Sequence, residues 1–371
     1  MTFVDFQSGD VLYITGTARN LVGLEAQAVM PRQNVVTALY VTGYVLVANA
    51  LPVRQREGAS VGRSPYSPPI RYLAEEKGKD SETVFDNAHA TLAKIEILSN
   101  SLARFWFETS DLVKIIPGQA AVLGFQELLG KATYAHMAPG NETSINDDRI
   151  RTWTVSSAHG DAISGGRTSR FAITMREQLG GLVTGALFSI ARQASLHMPD
   201  ILEDTRKLGM KIPLIGITGE FTLREGREKM LWIAGGIGVT PFLSMLEVMS
   251  KVQEKRKHEY DVVLLLSTRE PDVLMSLIHG IFEGRNGFKI TVYLFTGGST
   301  PELAFPKGVN VISQKSRLKE DTLSSSEFKK YRLEERQAYI CGPPVFEEVA
   351  LGTMRSAGLD TQSVIREGFG Y

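Results

Sequence analysis

The run from Met230 to Met245, MLWIAGGIGVTPFLSM, constrains the fold of this chain more than any other stretch. A short apolar strand pattern leads into the glycine turn Gly235–Gly238, and Thr240 and Pro241 then open a stretch with apolar residues at helical spacing. Glycine allows a sharp bend close to a ligand, and the first turn of a helix offers free N–H groups to an anion. The pattern therefore predicts a phosphate-binding turn. An ordinary structural turn stays open at this point, because any tight strand-to-helix turn uses glycine.

The composition indicates a soluble multidomain protein, without the charge excess or apolar run that would favour binding to nucleic acid or to a membrane. The 371 residues include 41 basic and 41 acidic side chains, and no apolar run is long enough to span a membrane. The N-terminus lacks the basic leader and apolar core of a signal peptide, which predicts a cytoplasmic location. The single cysteine, Cys341, excludes an intrachain disulfide, and six scattered histidines show no metal-ligand spacing. We therefore expect no metal site.

The N-terminal part is predicted to be a partial split-barrel-like β segment over residues 1–54, followed by a linker over residues 55–87. The stretches DFQSGDVLYITGTA and NALPVR resemble the later half of a pyridoxamine-phosphate-oxidase-like split barrel, a flavin-binding fold. The earlier half of that barrel, which supplies much of its flavin pocket, is missing. We therefore expect a packing or dimerisation element, and a homodimer through this segment, rather than a second flavin site.

The remainder is predicted to form two domains. Residues 88–228 contain many short strand patterns, including a hairpin across Ser99–Ser101 and the turn-and-strand phrase PGQAAVLGF, which predicts an antiparallel β-barrel. Residues 229–371 alternate apolar strands with helices, which predicts an α/β domain with a parallel sheet. Ligands of such sheets lie beyond the carboxyl ends of the strands, so the residues to examine are 235–241, 267–270, 296–298 and 341–344.

Five motifs follow one another in an informative order. They are the strand Arg-Thr-Trp-Thr from Arg151, a Gly-Gly turn at 180–181 before an apolar helix, the glycine turn at 235–238, a Cys-Gly-Pro loop from Cys341, and an acidic-aromatic tail from Glu367. Each motif is unspecific alone. In this order they resemble the ferredoxin–NADP reductase superfamily over residues 88–371. The resemblance implies an FAD-binding barrel followed by an NAD(P)-binding domain.

On the flavin side, the resemblance implies that Arg151 binds the flavin phosphate, that Trp153 lies against the flavin, and that the Thr154 hydroxyl approaches N5. The family usually has tyrosine at the position of Trp153, so one phenol hydrogen bond is lost. A pyrophosphate at the helix start favours FAD over FMN. The implied FAD-binding residues are Arg151, Trp153, Thr154, Val155, Ser156, Gly181, Leu182, Val183 and Thr184.

On the nucleotide side, the resemblance implies a pyrophosphate site at the glycine turn and a nicotinamide beside Cys341, which shapes the pocket and is not a nucleophile. The implied nucleotide-binding residues are Gly236, Gly238, Thr240, Pro241, Ser267, Arg269, Gly342 and Pro343. Ser267 and Arg269 follow the second strand, where the family contacts the ribose or its 2′-phosphate, and the choice between NADH and NADPH stays open. Thr154, Cys341, Glu367 and Phe369 are the implied catalytic residues. Phe369, or alternatively Tyr371, covers the second flavin face.

The predicted activity is hydride transfer from NAD(P)H to FAD, followed by electron delivery to a separate acceptor. That acceptor is a protein, a small molecule, a free flavin or oxygen. Two alternatives stay open. One is a non-catalytic flavin- or dinucleotide-binding module from a truncated multidomain reductase, and the other is an oxidase that uses FMN in the N-terminal segment.

Overall fold

The computed structural model describes residues 83–85, 87–129, 149–159, 163–178, 181–224, 226–256, 260–283, 289–297 and 308–368, with Phe305 and four short strands near the N-terminus. These are β1 (Thr2–Val4), β2 (Val11–Tyr13), β3 (Leu39–Val41) and β4 (Tyr44–Leu46). Strand β1 pairs with β2 and β3 with β4, both antiparallel. They belong to one compact unit, and all later strands and helices belong to a second. The split-barrel resemblance stays a prediction, and most of the predicted linker lies outside the described residues.

The first half of the second unit is an antiparallel sheet. Its strands are β5 (Thr83–Val84), β6 (His89–Ile97), β7 (Leu102–Ile115), β8 (Ala120–Gly124), β9 (Ile150–Thr154), β10 (Gly166–Arg176) and β11 (Lys211–Thr218). Their order is β10-β7-β6-β11-β8-β9, and β5 pairs with β11. A bridge between Val155 and Ile173 joins the β9 side of the sheet to β10 and closes it. The predicted antiparallel barrel is confirmed.

The barrel interior is filled by large apolar side chains from alternating strand positions. Phe105, Phe107 and Phe171 are fully buried, and Phe107 stacks on Phe171 with a centroid distance of 5.6 Å. Helix α1 (Gln126–Leu129) follows β8, and helix α2 (Leu182–His197) follows β10. Phe188 of α2 packs its ring against that of Phe105 at 5.6 Å, edge to face. The apolar stripe of α2 therefore contributes to the same core.

The second half is a six-stranded parallel sheet. Its strands are β12 (Lys229–Gly235), β13 (Asp261–Ser267), β14 (Lys289–Phe295), β15 (Val309–Gln314), β16 (Gln337–Gly342) and β17 (Ile365–Gly368). Its helices are α3 (Thr240–Arg256), α4 (Pro271–Phe282), α5 (Ser326–Lys329) and α6 (Pro344–Ser356). The strand order is β15-β14-β13-β12-β16-β17. The predicted α/β domain with a parallel sheet is confirmed.

Both faces of this sheet are covered at its centre, which explains why the four central strands, β12, β13, β14 and β16, are continuously apolar. On one face, Trp232 and Leu264 pack in a cluster with Phe242 of α3. On the other, Leu231 and Ile233 pack in a second cluster that contains residues of α5 and α6. Because side chains alternate between faces, neighbouring residues of β12 enter different cores.

Three strands had no counterpart in the sequence analysis, and one of them, β5, lies within the predicted linker over residues 55–87 and pairs with β11. Strand β11 forms a central part of the barrel sheet, and β17 places Glu367 in a parallel strand beside β16 rather than in a free tail. The domain boundary predicted at residue 229 stays a prediction. Within the described parts of the chain, every helix is too short or too polar to span a lipid bilayer.

Candidate active site

The glycine turn lies where the strand order of the parallel sheet reverses. Strand β12 pairs with β13 on one side and with β16 on the other, and the crevice beyond such a reversal is the usual ligand site of these sheets. Residues Gly236–Val239 form one turn of 3₁₀-helix, and α3 begins at Thr240 with Pro241 in its first turn. Gly236 has a φ of 54°, in the region that favours glycine.

The glycine turn packs directly against the loop after β16. A Cβ atom on Gly238 would lie 2.3 Å from the carbonyl oxygen of Cys341, and one on Gly342 would lie 2.7 Å from the Phe346 ring. Gly235 faces the same ring, at 2.6 Å for a Cβ atom. The structure therefore brings together the predicted residues Gly238 and Gly342, and the absence of side chains lets the two backbones meet.

The Cys341 side chain is buried beside this loop. Burial, reinforced by the carboxyls of Glu367 and Glu347, raises the pKa of the Cys341 thiol. A thiol with a raised pKa is a weak nucleophile, because the thiolate is the reactive form. This favours the prediction that Cys341 shapes the nicotinamide pocket and does not act as a nucleophile.

Glu367 lies on β17 in register with Cys341 on β16. Its Oε2 atom is buried and has no hydrogen-bond partner among the residues that the structure describes. Burial raises the pKa of the Glu367 carboxyl to about 8. At neutral pH most of this group is protonated, so it can donate a hydrogen bond. Phe369 and Tyr371, the predicted flavin covers, lie outside the described residues.

Strand β9 carries the predicted flavin contacts. The Oγ1 atoms of Thr152 and Thr154 are buried without a hydrogen-bond partner in the described part of the chain. Trp153 is partly exposed and packs edge to face against Phe125, with a centroid distance of 5.6 Å. Arg151 is half-buried, and its Nη1 donates to the carbonyl of Ile150 at 2.6 Å. Thr154 thus has a free hydroxyl at the position where the resemblance places one.

The next two predicted contacts are held by the barrel itself. Val155 is buried in the barrel core, and its N–H donates to the carbonyl of Gln119 at 2.9 Å. Ser156 bonds through its backbone N–H and its Oγ to the carbonyl of Ala172, at 2.8 and 3.2 Å. These two residues therefore position β9 rather than offer free polar atoms.

The start of α2 is a second tight turn. A Cβ atom on Gly181 would lie 2.6 Å from Thr184 Oγ1, and that oxygen accepts a hydrogen bond from the N–H of Gln178 at 3.1 Å. Val183 is buried in the barrel core, whereas Leu182 is exposed. Gly181 therefore keeps the helix start compact, and Thr184 uses one oxygen lone pair within the turn.

The loop after β13 is tied to the barrel by a residue that the sequence analysis did not single out. Arg269 is exposed and Ser267 is partly exposed. Glu270 forms an ion pair with Arg176 at the end of β10, and its Oε1 accepts bonds from Ser99 and Ser101 at 3.3 and 3.4 Å. The predicted ribose-binding loop is therefore bonded to the turn between β6 and β7 of the barrel.

His159 lies where the segment after β9 meets α3. Burial lowers the pKa of His159 to about 4, and Lys251 adds to this while Glu247 opposes it.

As the pH falls from 6.5 towards 4, the unfolded chain binds a proton at His159 that the folded chain does not, so the free energy of unfolding falls. We expect His159→Gln to lose less stability than the wild type in this range, measured by urea unfolding. The same dependence of the free energy of unfolding on pH in the two proteins would contradict this expectation.

The residues present fit a flavin and a dinucleotide. A buried free hydroxyl on β9 and a buried free carboxyl on β17 are polar atoms that a bound ring system can satisfy. A Cβ atom on Gly236 would meet no atom within 4 Å, so the backbone of the glycine turn is open to a close ligand at that residue. The described residues contain no group of three or more His, Cys, Asp or Glu side chains suited to a metal ion.

Comparison with known proteins identifies the same architecture. Residues 232–351 match a family model described as an oxidoreductase NAD-binding domain. The reductase component of propane 2-monooxygenase from Rhodococcus jostii is 29% identical over 183 residues, which span 49% of this chain and only 46% of that protein. The toluate 1,2-dioxygenase electron transfer component from Pseudomonas putida is 23% identical over 337 residues, 86% of this chain and 88% of that one.

A solved structure shares the fold. It is a ferredoxin NADP+ reductase from Neisseria gonorrhoeae with bound FAD and NADP, with a TM-score of 0.50, 17% identity, and coverage of 79% of this chain and 100% of that one. The resemblance drawn from the five motifs is thereby confirmed. The fold and the NAD-binding domain are therefore those that the resemblance to the ferredoxin–NADP reductase superfamily implies.

Proposed function

We propose that this chain is a reductase that takes hydride from NAD(P)H onto FAD and passes electrons to a separate acceptor, of which an oxygenase component is the leading candidate. The observation that carries the proposal is the meeting of the two turns at the switch point, with Gly238 against the Cys341 carbonyl. The oxygenase reductase relatives support the choice of acceptor. A cytoplasmic location and a homodimer through the N-terminal β segment belong to the same proposal.

Within this proposal, each group of residues has a separate task. The Arg151 guanidinium binds a flavin phosphate, and the start of α2 at Gly181 receives the pyrophosphate. The glycine turn and the start of α3 receive the nucleotide pyrophosphate, while Ser267 and Arg269 lie at the ribose. Thr154 offers its hydroxyl and Glu367 its protonated carboxyl to the reacting region. Bound FAD and NAD(P)H supply the redox chemistry, and the protein supplies orientation and exclusion of water.

The test is anaerobic mixing of the purified yellow protein with NADPH or NADH in a stopped-flow instrument. Rapid loss of the oxidised flavin absorbance supports the proposal, and the faster nucleotide identifies the donor. A spectrum that stays oxidised with both nucleotides overturns it in favour of a non-catalytic binding module. Two flavins released per chain would instead indicate a second site in the N-terminal segment.

Arg151→Ala is expected to weaken FAD binding. A charge-assisted hydrogen bond to phosphate is worth about 1.5–3 kcal/mol, which corresponds to about a 10- to 150-fold rise in the dissociation constant. The measurement is fluorescence titration of the flavin-free protein with FAD. Arg167→Ala, on the exposed surface of β10, is the matched control and is expected to bind FAD as the wild type does. Equal affinities for the two variants would remove Arg151 from the flavin site.

A further inference from the structure

A backbone group of the barrel is bound by a side chain of the nucleotide-side helix α3. The N–H of Ala158 donates to Oε2 of Glu247 at 2.9 Å, across 89 residues of sequence. Ala158 is 7% exposed and packs in the same apolar cluster as Phe242 and Leu246 of α3. The bond therefore lies inside the interface between the barrel and the parallel-sheet region.

The two ends of this bond are close in sequence to the two predicted cofactor sites. Ala158 follows Thr154 by four residues, and Glu247 follows Thr240, the first residue of α3, by seven. The intervening segment is bonded to β10, because the N–H of Ser156 donates to the Ala172 carbonyl and the N–H of Ala172 donates to Ser157 Oγ, both at 2.8 Å. Helix α3 begins at the glycine turn, and Glu247 on this helix bonds to the segment that follows β9. A shift of α3 relative to the barrel would therefore move the glycine turn relative to β9.

A second tie runs in parallel through the barrel corner before β8. The N–H of Gly118 donates to Oγ of Ser244 at 3.0 Å, and the carbonyl of Gln119 accepts from the N–H of Val155 at 2.9 Å. Ser244 and Glu247 are three residues apart and lie on the same face of α3. Gly118 has a φ of 98°, and a Cβ atom there would lie 1.9 Å from the Phe221 carbonyl oxygen. These two hydrogen bonds, from Glu247 and Ser244, therefore hold one face of α3 against the barrel.

The two oxygens of Glu247 have separate partners. Oε2 accepts from Ala158, and Oε1 forms an ion pair with Lys251 at 2.7 Å, one helical turn further along α3. The ion pair lies within α3, so it does not join the two halves of the molecule. Lys251→Ala therefore removes the helical ion pair and leaves the cross-interface hydrogen bond in place, whereas Glu247→Ala removes both.

We propose that Glu247 is a positioning residue for hydride transfer: its bond to Ala158 sets the distance between the flavin strand and the nucleotide turn. The inference rests on the proposed reductase function. Transfer between two rings requires a near-attack geometry, and a misplacement of about 1 Å costs about 100-fold in rate. Loss of this bond therefore lowers the rate of flavin reduction at saturating nucleotide, while the affinity for the nucleotide is retained because the glycine turn is intact.

The experiment compares Glu247→Ala, Glu247→Gln and Lys251→Ala in the FAD-loaded full chain, with the nucleotide that reduces the wild type. Anaerobic stopped-flow traces give the limiting rate of flavin reduction and the apparent dissociation constant of the nucleotide. We expect Glu247→Ala to reduce the limiting rate at least about tenfold with a dissociation constant within about threefold of the wild type. Glu247→Gln retains an acceptor for Ala158 and is expected to restore most of the rate. Lys251→Ala is expected to match the wild type.

Hydrogen exchange of a peptide covering residues 155–159, followed by mass spectrometry, gives a readout independent of turnover. Exchange is expected to accelerate in Glu247→Ala and to stay slow in the other two variants. Unchanged reduction by Glu247→Ala despite faster exchange overturns the positioning role, as does equal loss of rate in Glu247→Ala and Lys251→Ala. A wild type that holds FAD but is reduced by neither nucleotide overturns the proposed function instead.

Discussion

Gly238→Ala is expected to abolish binding of NAD(P)H while FAD remains bound to the barrel. The added Cβ atom would lie 2.3 Å from the oxygen and 2.7 Å from the carbon of the Cys341 carbonyl, and 2.9 Å from the Gly342 Cα atom. These are backbone atoms, so no rotamer change relieves the overlap, and the two turns must separate. Overpacking of this kind costs about 1–3 kcal/mol of stability. Binding is measured by calorimetric titration with NADPH and NADH, and stability by thermal unfolding.

The matched control for this substitution is Gly280→Ala. Gly280 lies within α4, and a Cβ atom there meets no atom within 4 Å. Alanine is the better helix former by about 1 kcal/mol, so this variant is expected to be as stable as the wild type or more stable, with unchanged nucleotide binding. Wild-type affinity in Gly238→Ala would show that the glycine turn does not receive the nucleotide.

Glu367→Gln is expected to remove a large pH dependence of stability. The Glu367 pKa is raised from 4.5 to about 8 in the folded chain. Below pH 4.5 both states are protonated; as the pH rises, the unfolded chain releases this proton first, so the free energy of unfolding falls until the folded carboxyl ionises near pH 8. The rise of the Glu367 pKa from 4.5 to about 8 sets an upper limit of about 5 kcal/mol on this loss. Glutamine has the same shape and cannot ionise.

Urea unfolding at a series of pH values between about 5 and 9 tests this expectation. As the pH rises, the free energy of unfolding of Glu367→Gln is expected to exceed that of the wild type by a growing amount. This difference between the two proteins is the gap that is measured. Glu334→Gln, at an exposed position, controls for the removal of one carboxylate. A gap that is constant across this range would show that the Glu367 carboxyl ionises normally in the folded protein.

The elements predicted correctly from sequence are those with a strong local pattern. Strands β12, β13, β14 and β16 are short apolar runs followed by turn residues, and each is buried on both faces. The helices α2 and α3 begin directly after glycine turns, as expected of helix starts. The pairing of β6 with β7 follows from a turn of four residues between them.

The elements missed are those whose local pattern is weak. Strand β11 contains Pro213, which argues against a central strand, yet β11 pairs with β6 at its start and with β8 further along. Strand β17 has the sequence IREG, with one apolar side chain in four residues. Its place is decided by pairing with β16 at the edge of a sheet that already exists.

The candidate site shows the same division. The glycine turn, the Cys-Gly-Pro loop and the Arg-Thr-Trp-Thr strand were recognisable because each is a contiguous motif with its own chemistry. The ties at Glu247 and Glu270 were not, since their partners Ala158 and Arg176 are 89 and 94 residues away in sequence. Nor could the sequence show that Val155 and Ser156 are occupied by barrel contacts, or that the Glu367 carboxyl is buried.

By itself, the sequence determined the strands and helices that have a strong local pattern, and where glycine leaves room for a ligand, because these properties depend on neighbours within a few residues. Only the tertiary structure decided which turns meet, which barrel groups seat α3, and which polar side chains lose their contact with water. Burial and long-range contact are properties of the packed chain, and they raise the pKa of Glu367, lower that of His159 and hold the two halves of the site together.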